Sequence, residues 1–293
     1  MNYINYKGYK LSQLSLGTVQ FGLDYGVANQ SGQIGFDEAK EIIDFVTKKG
    51  INCFDTAREY GNSEKILGNI LKDNKYIISK IKSKDFDNLD ENIIKSLDSL
   101  SQKTLFGLLL HDSDKLFSWN KDNEKKINNL KQDKKIKFFG ISIYTNDEFE
   151  EAIKNSSIDI IQIPFNLFDQ RAIKYKWFEK AKENDKLLVI RSIFLQGLLL
   201  MDKNNIPLYL QEAKEYIVKL DDIIKQLKVS KESFLFSFVK YYAKSSIILF
   251  GCDNLSQAKK NIQEFNYNIE YNFENNDFNN ISEKIYNPIK WKG

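Results

Sequence analysis

The 293-residue chain carries 43 basic against 40 acidic side chains, one histidine, two cysteines and three prolines. A single histidine cannot build a histidine-rich zinc or iron centre, and Cys53 and Cys252 form neither a CxxC pair nor a disulfide framework, so two thiols far apart suit a reducing cytosol. The net charge of +3 is interleaved rather than gathered into the basic stripe of a nucleic-acid binder, and Lys134-Lys135 and Lys259-Lys260 read as solvated helix faces.

The N-terminal residues lack an apolar signal core. Lys7-Gly8 marks a short hairpin ahead of the first buried strand. Apolar density and turn signals then predict eight strands, at residues 14–19, 51–55, 76–81, 106–111, 137–142, 158–164, 187–192 and 247–251. Amphipathic helix patterns fall between them, at 36–49, 63–72, 89–101, 123–133, 145–155 and 170–184. Two helical segments, 208–227 and 231–244, fill the gap before the last strand, with Ser230 suited to cap the second. A further helix covers 255–265, and a tail rich in aromatics runs from Asn266 to Gly293. The most apolar runs, 105–110 and 193–201, are far shorter than the ~20 residues of a membrane span. The expectation is a soluble cytoplasmic protein with no membrane contact.

Eight strands alternating with helices call for parallel βαβ units, and eight such units at this length predict a (β/α)8 barrel. A chain of this size buries roughly 75% of its unfolded surface, and no low-complexity linker divides it. One domain over residues 1–293 is expected. The runner-up, a doubly wound sheet, lacks the GxGxxG that should follow its first strand.

In such a barrel, chemistry collects where strands end and the following loops begin. Here the second strand ends at Asp55, the third delivers Lys80, the fourth His111 and the fifth Ser142. Any one of these is bland alone, since a strand-terminal Asp often caps a loop and a Lys usually reaches solvent. Together at one end of successive strands they describe a pocket. The loop Asp55-Thr56-Ala57-Arg58-Glu59-Tyr60 adds a phenol over the barrel mouth. A phenol with a pKa near 10 is a poor acid at neutral pH. An ammonium about 4 Å away, at an effective dielectric of ~20, stabilises the phenolate by roughly 4 kcal/mol, so Lys80 is expected to pull Tyr60 downward. Asp55 would keep that ammonium charged and aimed, and a neutral His111 would orient the substrate oxygen. The device suits proton delivery to an oxygen gaining negative charge, as in carbonyl reduction. No side chain supplies hydride, so a nicotinamide cofactor is implied.

These residues resemble those of the aldo-keto reductase superfamily over nearly the whole chain. The resemblance is carried by Leu16-Gly17-Thr18, by Gly50-Ile51-Asn52-Cys53-Phe54-Asp55-Thr56-Ala57 with Tyr60-Gly61-Asn62-Ser63-Glu64, and by Lys80, Leu110-His111, Gly140-Ile141-Ser142 and Ile161-Gln162. It implies the same barrel and reduction of a small-molecule carbonyl, with NADPH as the default cofactor and NADH as the alternative. It makes Tyr60 the acid, Lys80 and Asp55 its tuning pair, and His111 the group that orients the carbonyl. Cofactor contacts fall at Gly17, Thr18, Ser142, Gln162, Arg191, Gly251, Asp253, Gln257 and Asn261. The chain departs from the family at Ile143, where Asn is common, and at Arg191, where an aromatic usually stacks on nicotinamide. It departs again at Gly251-Cys252-Asp253-Asn254, which offers no arginine for a 2′-phosphate. Asp253 either disfavours that phosphate or caps the next helix, and Lys259 and Lys260 are the nearby cations. The run Arg191–Leu199 looks like a bacterial branch associated with surface-polysaccharide pathways, which points to a sugar carbonyl.

Two other readings stand beside the reductase. One makes Lys80 a Schiff-base nucleophile, which leaves Tyr60 and Asp55 without a joint purpose. The other is a catalytically weak, cofactor-binding regulatory or scaffold subunit. Tyr271, Phe273, Phe278, Tyr286 and Trp291 either line the substrate pocket or pin the tail. The sequence sets no oligomeric state.

Overall fold

The computed structural model describes residues 1–71, 75–274 and 276–291. It begins with the expected hairpin. Strands β1 (Tyr3–Tyr6) and β2 (Tyr9–Ser12) pair antiparallel across a two-residue turn at Lys7 and Gly8, both at positive φ, the turn whose twist matches the strands.

Eight further strands follow, β3 (Leu14–Gly17), β4 (Cys53–Asp55), β5 (Tyr76–Ile81), β6 (Leu105–Leu110), β7 (Ile136–Ser142), β8 (Ile160–Pro164), β9 (Leu187–Arg191) and β10 (Ile247–Phe250). Each pairs in parallel with the next, and β10 pairs with both β9 and β3, so the sheet closes. Closure leaves no edge strand in the barrel. The chain is thus a (β/α)8 barrel, as its alternation predicts.

Side chains alternate between two packed layers. Ile77, Leu108, Phe139, Ile161, Leu188 and Ile248 face the surrounding helices in the larger core. Cys53, Ile78, Leu109, Phe138, Ile160, Val189 and Ile247 form a second core with Ile4, Tyr6 and Leu11 of the hairpin. The hairpin therefore plugs the end of the barrel where strands begin. The Tyr6 hydroxyl donates to the carbonyls of Asp159 and Asp185 at 3.0 and 3.2 Å, and the Tyr9 ring meets Tyr76, Phe106 and Phe138 edge-on.

Several expected boundaries move for local reasons. The first strand stops at Gly17, because the chain turns into a short helix, Val19–Gly22. The helix expected at 63–72 spans Ser63–Ile70, and Lys72 lies outside the described residues. The helix expected at 123–133 starts earlier, at Lys121, because the Asn120 side chain accepts from the amides of Asp122 and Asn123. The pattern at 170–184 is two helices, Arg171–Lys174 and Trp177–Glu183, divided at Lys176 with φ 57°. The segment from Leu208 opens as a 3-10 turn and becomes the α-helix Lys214–Leu227. Ser230 caps Lys231–Tyr242 as expected.

No helix among the described residues is long and apolar enough to cross a membrane.

Candidate active site

The alternation that builds the inner core also builds the mouth. Counting by two from Cys53, Ile78, Leu109, Phe138, Ile160 and Val189 gives Asp55, Lys80, His111, Ser142, Gln162 and Arg191. Six polar or charged side chains thus arrive at the end of the barrel where strands finish. Asp55, Ser142 and Arg191 are the last residues of β4, β7 and β9, and His111 is the first after β6.

Lys80 and Asp55 are buried against one another. Lys80 Nζ lies 2.5 Å from Asp55 Oδ1 and donates to the Thr56 carbonyl at 2.8 Å. Gln162 Nε2 donates to the second carboxylate oxygen, Oδ2, at 2.8 Å. Burial pushes the Lys80 amine below its usual range, and the Asp55 carboxylate pulls it partly back.

Tyr60 is placed by backbone geometry. Beyond β4 the loop stays pinned to β5, with Thr56 N donating to Ile78 O at 2.9 Å and Arg58 N to Lys80 O at 3.0 Å. Gly22 presses against the Tyr60 carbonyl so closely that a Cβ there would sit 1.7 Å from the oxygen. Lys80 Nζ lies 5.2 Å from the centre of the Tyr60 ring. The electrostatic result reverses the sequence expectation. Burial, reinforced by the Asp55 carboxylate, raises the phenol above its ordinary value of 10, and Arg191 only partly offsets this. Lys80 spends N–H groups on Asp55 and on the Thr56 carbonyl, and no hydrogen bond joins it to the phenol oxygen among the described residues.

His111 stands edge-on to Tyr60, with ring centres 5.6 Å apart at 77°. Its Nδ1 lies 3.3 Å from Glu59 Oε2. A carboxylate only accepts, so Nδ1 carries the proton and Nε2 is the ring nitrogen left for a ligand. Burial pushes Glu59 upward, but the His111 hydrogen bond, a backbone hydrogen bond and the nearby His111 and Lys82 together outweigh it and hold the carboxyl below its usual range.

These groups open on a cavity of about 1060 Å³. Asp55, Tyr60, His111, Gly17, Thr18, Ser142, Gln162, Arg191, Gly251, Asp253, Gln257 and Asn261 all line it, while Lys80 lies buried against Asp55. Thr18 is turned to structure, with its hydroxyl paired to the Asp55 carbonyl and to Ser63. The Ser142 hydroxyl and Gln162 Oε1 have no protein partner among the described residues.

The β10 side corrects the reading of Asp253. Asn254, not Asp253, caps the helix Leu255–Phe265 by accepting from Gln257 N at 2.8 Å. Asp253 instead accepts from Gln257 Nε2 at 3.2 Å. Glu38 Oε1 accepts from Leu255 N at 3.2 Å, Lys260 is paired with Glu232 at 2.6 Å, and Lys259 lies over the Phe45 ring. Lys260 is therefore spent on a carboxylate, whereas Lys259 has no carboxylate partner among the described residues but does not line the cavity.

Sequence reading missed Gln20, Tyr25, Glu59, Tyr144 and Gln196, which also line the cavity. Gln20 Oε1 is buried with no hydrogen-bond partner and the side chain lies against Gly251. Glu59 alone carried a signal, as the residue beside Tyr60. The tail aromatics pin rather than line. Phe273 packs on Phe234 and Phe238, Phe278 stacks on Phe168, and Pro288 and Ile289 are the tail residues that reach the cavity. Lys292 and Gly293 lie outside the described residues.

A closed parallel barrel with its polar side chains gathered where the strands finish has the general arrangement of a (β/α)8-barrel enzyme. The aldo/keto reductase family model matches residues 13–285, and the chain belongs to that family as a nicotinamide-dependent reductase. It is 23% identical over 285 residues to the uncharacterized oxidoreductase YqkF of Bacillus subtilis (strain 168), covering 87% of this chain and 88% of the relative. Its fold matches the holo form of the aldo-keto reductase AKR11C1 from Bacillus halodurans with TM-score 0.75 and 20% identity, over 92% of both chains. It matches an aldo/keto reductase from Klebsiella pneumoniae in complex with NADP and acetate with TM-score 0.70 and 14% identity, over 92% of this chain and 91% of the other.

Proposed function

We propose that the enzyme reduces a small aldehyde or ketone to the alcohol, with Tyr60 as the proton donor. The observation that carries this reading is the Lys80–Asp55–Gln162 network buried beside Tyr60, with His111 edge-on to the same phenol and all of it at one cavity.

The residues fit a nicotinamide dinucleotide. The free Ser142 hydroxyl and Gln162 Oε1 suit the carbonyl and amino groups of its carboxamide, and Arg191 lines the same end. Gln20 Oε1, an acceptor lacking a donor, suits a ribose hydroxyl beside Gly251, with Asp253, Gln257 and Asn261 completing that side. Gly17 and Thr18 shape the wall between. The bound nicotinamide supplies hydride to the carbonyl carbon. Tyr60 holds its proton at neutral pH, since burial raises its pKa, and releases it to an alkoxide oxygen, a stronger base than a phenolate. His111 orients that oxygen through Nε2. Asp55 anchors Lys80, and Lys80 carries the compensating charge close to the ring. With Lys260 tied to Glu232, the 2′-phosphate gains little, so NADPH, the family default, and NADH bind within about tenfold of one another.

Fluorescence titration with NADPH and NADH, followed by turnover of reactive aldehydes, tests both statements. Tyr60→Phe should bind dinucleotide as tightly as the wild type and lose carbonyl reduction by at least about a hundredfold. Full turnover in that variant removes Tyr60 as the acid.

A further inference from the structure

The acidic groups of the cavity each have a partner. Asp55 is paired with Lys80 and Glu232 with Lys260, Glu59 is bonded to His111 and Asp253 to Gln257, and Asp202 accepts from the Asn204 amide. Arg191 and Lys82 line the same cavity, and neither has a carboxylate within 4.0 Å among the described residues. Arg191 is held in place without being neutralised. Its Cζ lies 4.0 Å from the centre of the Tyr144 ring, and its only protein acceptor among the described residues is the Ile143 carbonyl, at 3.0 Å from Nη2. Its charge is felt by Tyr60, Tyr25 and Lys80, so it acts at the point where the substrate oxygen meets its proton donor.

A guanidinium held over an aromatic ring, with a single protein acceptor for its five N–H groups, is a preorganised receptor for carboxylate or phosphate oxygens. We infer that the carbonyl substrate is itself an anion, an aldehyde or ketone bearing a carboxylate or phosphate, bound by Arg191. The inference rests on the reading of Tyr60 as the proton donor. It also resolves a difficulty within that reading. Arg191 opposes the positive charge that hydride loss leaves on nicotinamide, and an anion on its edge cancels the opposition.

The test compares matched carbonyls on the full-length protein at saturating dinucleotide, succinic semialdehyde against butanal and glyceraldehyde 3-phosphate against glyceraldehyde. In the wild type the anionic member of at least one pair should have the higher kcat/KM by about tenfold or more. The pair that shows it distinguishes carboxylate from phosphate. Arg191→Gln should bring the ratio to near one, and Arg191→Lys should keep part of it. Because each ratio is taken within one variant, any lost cofactor contact cancels. Calorimetry on the cofactor-loaded protein with succinate and glycerol 3-phosphate reads anion binding without turnover, and that binding should vanish in Arg191→Gln. Equal ratios in the wild type, or a preference that survives Arg191→Gln, overturns the inference while leaving the reductase standing. Arg191-dependent anion binding with no reduction of any carbonyl supports the anion site and overturns the reductase.

Discussion

Lys80 shows how a residue's role follows from what surrounds it. A lysine at a strand end reads as solvent-seeking, but here it is fully buried with Asp55 as its counter-charge and the Thr56 carbonyl as a second acceptor. Removing one member of a buried pair strands the other, at a cost of about 3–5 kcal/mol. Lys80→Met is therefore expected to lower stability by about that amount in urea denaturation. The double variant Asp55→Asn with Lys80→Met should recover most of the loss without recovering reduction. Stability unchanged by the single substitution would show that Asp55 is not charged in the folded protein. The four groups of the proposed machinery were legible from the motif and from strand ends. The direction of the Tyr60 shift was not. It depends on how far the phenol is desolvated beside Asp55 and on where the Lys80 N–H groups are spent, and neither is written in residue spacing. The cap on the last long helix stayed open in the sequence for a related reason. Asp253 and Asn254 are both good caps by type, and only backbone geometry decides between them.

At the scale of elements, the eight-strand alternation was plain because β-branched and leucine runs stand between amphipathic helices. The ends of elements were less so. Val19 reads as strand by type, yet the chain turns at Thr18, because the short helix Val19–Gly22 must bring Gly22 against the Tyr60 carbonyl. Gly61 answers from the other side at φ 49°, and a Cβ there would meet the Gly22 carbonyl at 2.4 Å. Two glycines thus allow backbone to touch backbone, and the phenol is set by that contact. Gly22→Ala must push the loop away. The expected result is a loss of stability of about 1–3 kcal/mol and a fall in kcat/KM of roughly a hundredfold from misplacement of Tyr60, read by thermal melts and steady-state kinetics. A variant with undiminished kcat/KM would show that the loop tolerates the displacement.

Across the whole molecule, stability and chemistry occupy opposite ends of one barrel. The hairpin and the rings of Tyr6, Tyr9, Tyr76, Phe106 and Phe138 close the end where strands begin. The cavity opens where they finish. Tyr6→Phe removes a hydroxyl that donates to the carbonyls of Asp159 and Asp185, so it should cost about 1 kcal/mol in denaturant unfolding and leave kcat and KM unchanged. A change in KM would mean that the two ends are coupled. Alternation by two along each strand joins them, since the parity that buries Ile78 and Leu109 below also presents Lys80 and His111 above. That parity is written in the sequence. The partners that the connecting segments bring to the cavity, Gln20, Tyr25 and Gln196, follow paths that no periodicity encodes.

The chain's one histidine lies edge-on to Tyr60 and bonded to Glu59. The protein therefore carries its own spectroscopic label beside the Tyr60 phenol, the proposed proton donor. In a proton NMR spectrum the imidazole ring contributes a single set of carbon-bound resonances, assigned without mutagenesis and shifted by the ring current of the phenol beside it. Those lines form a built-in gauge of how far Tyr60 moves when an anion or a dinucleotide enters the barrel mouth, and they can be followed as each is added.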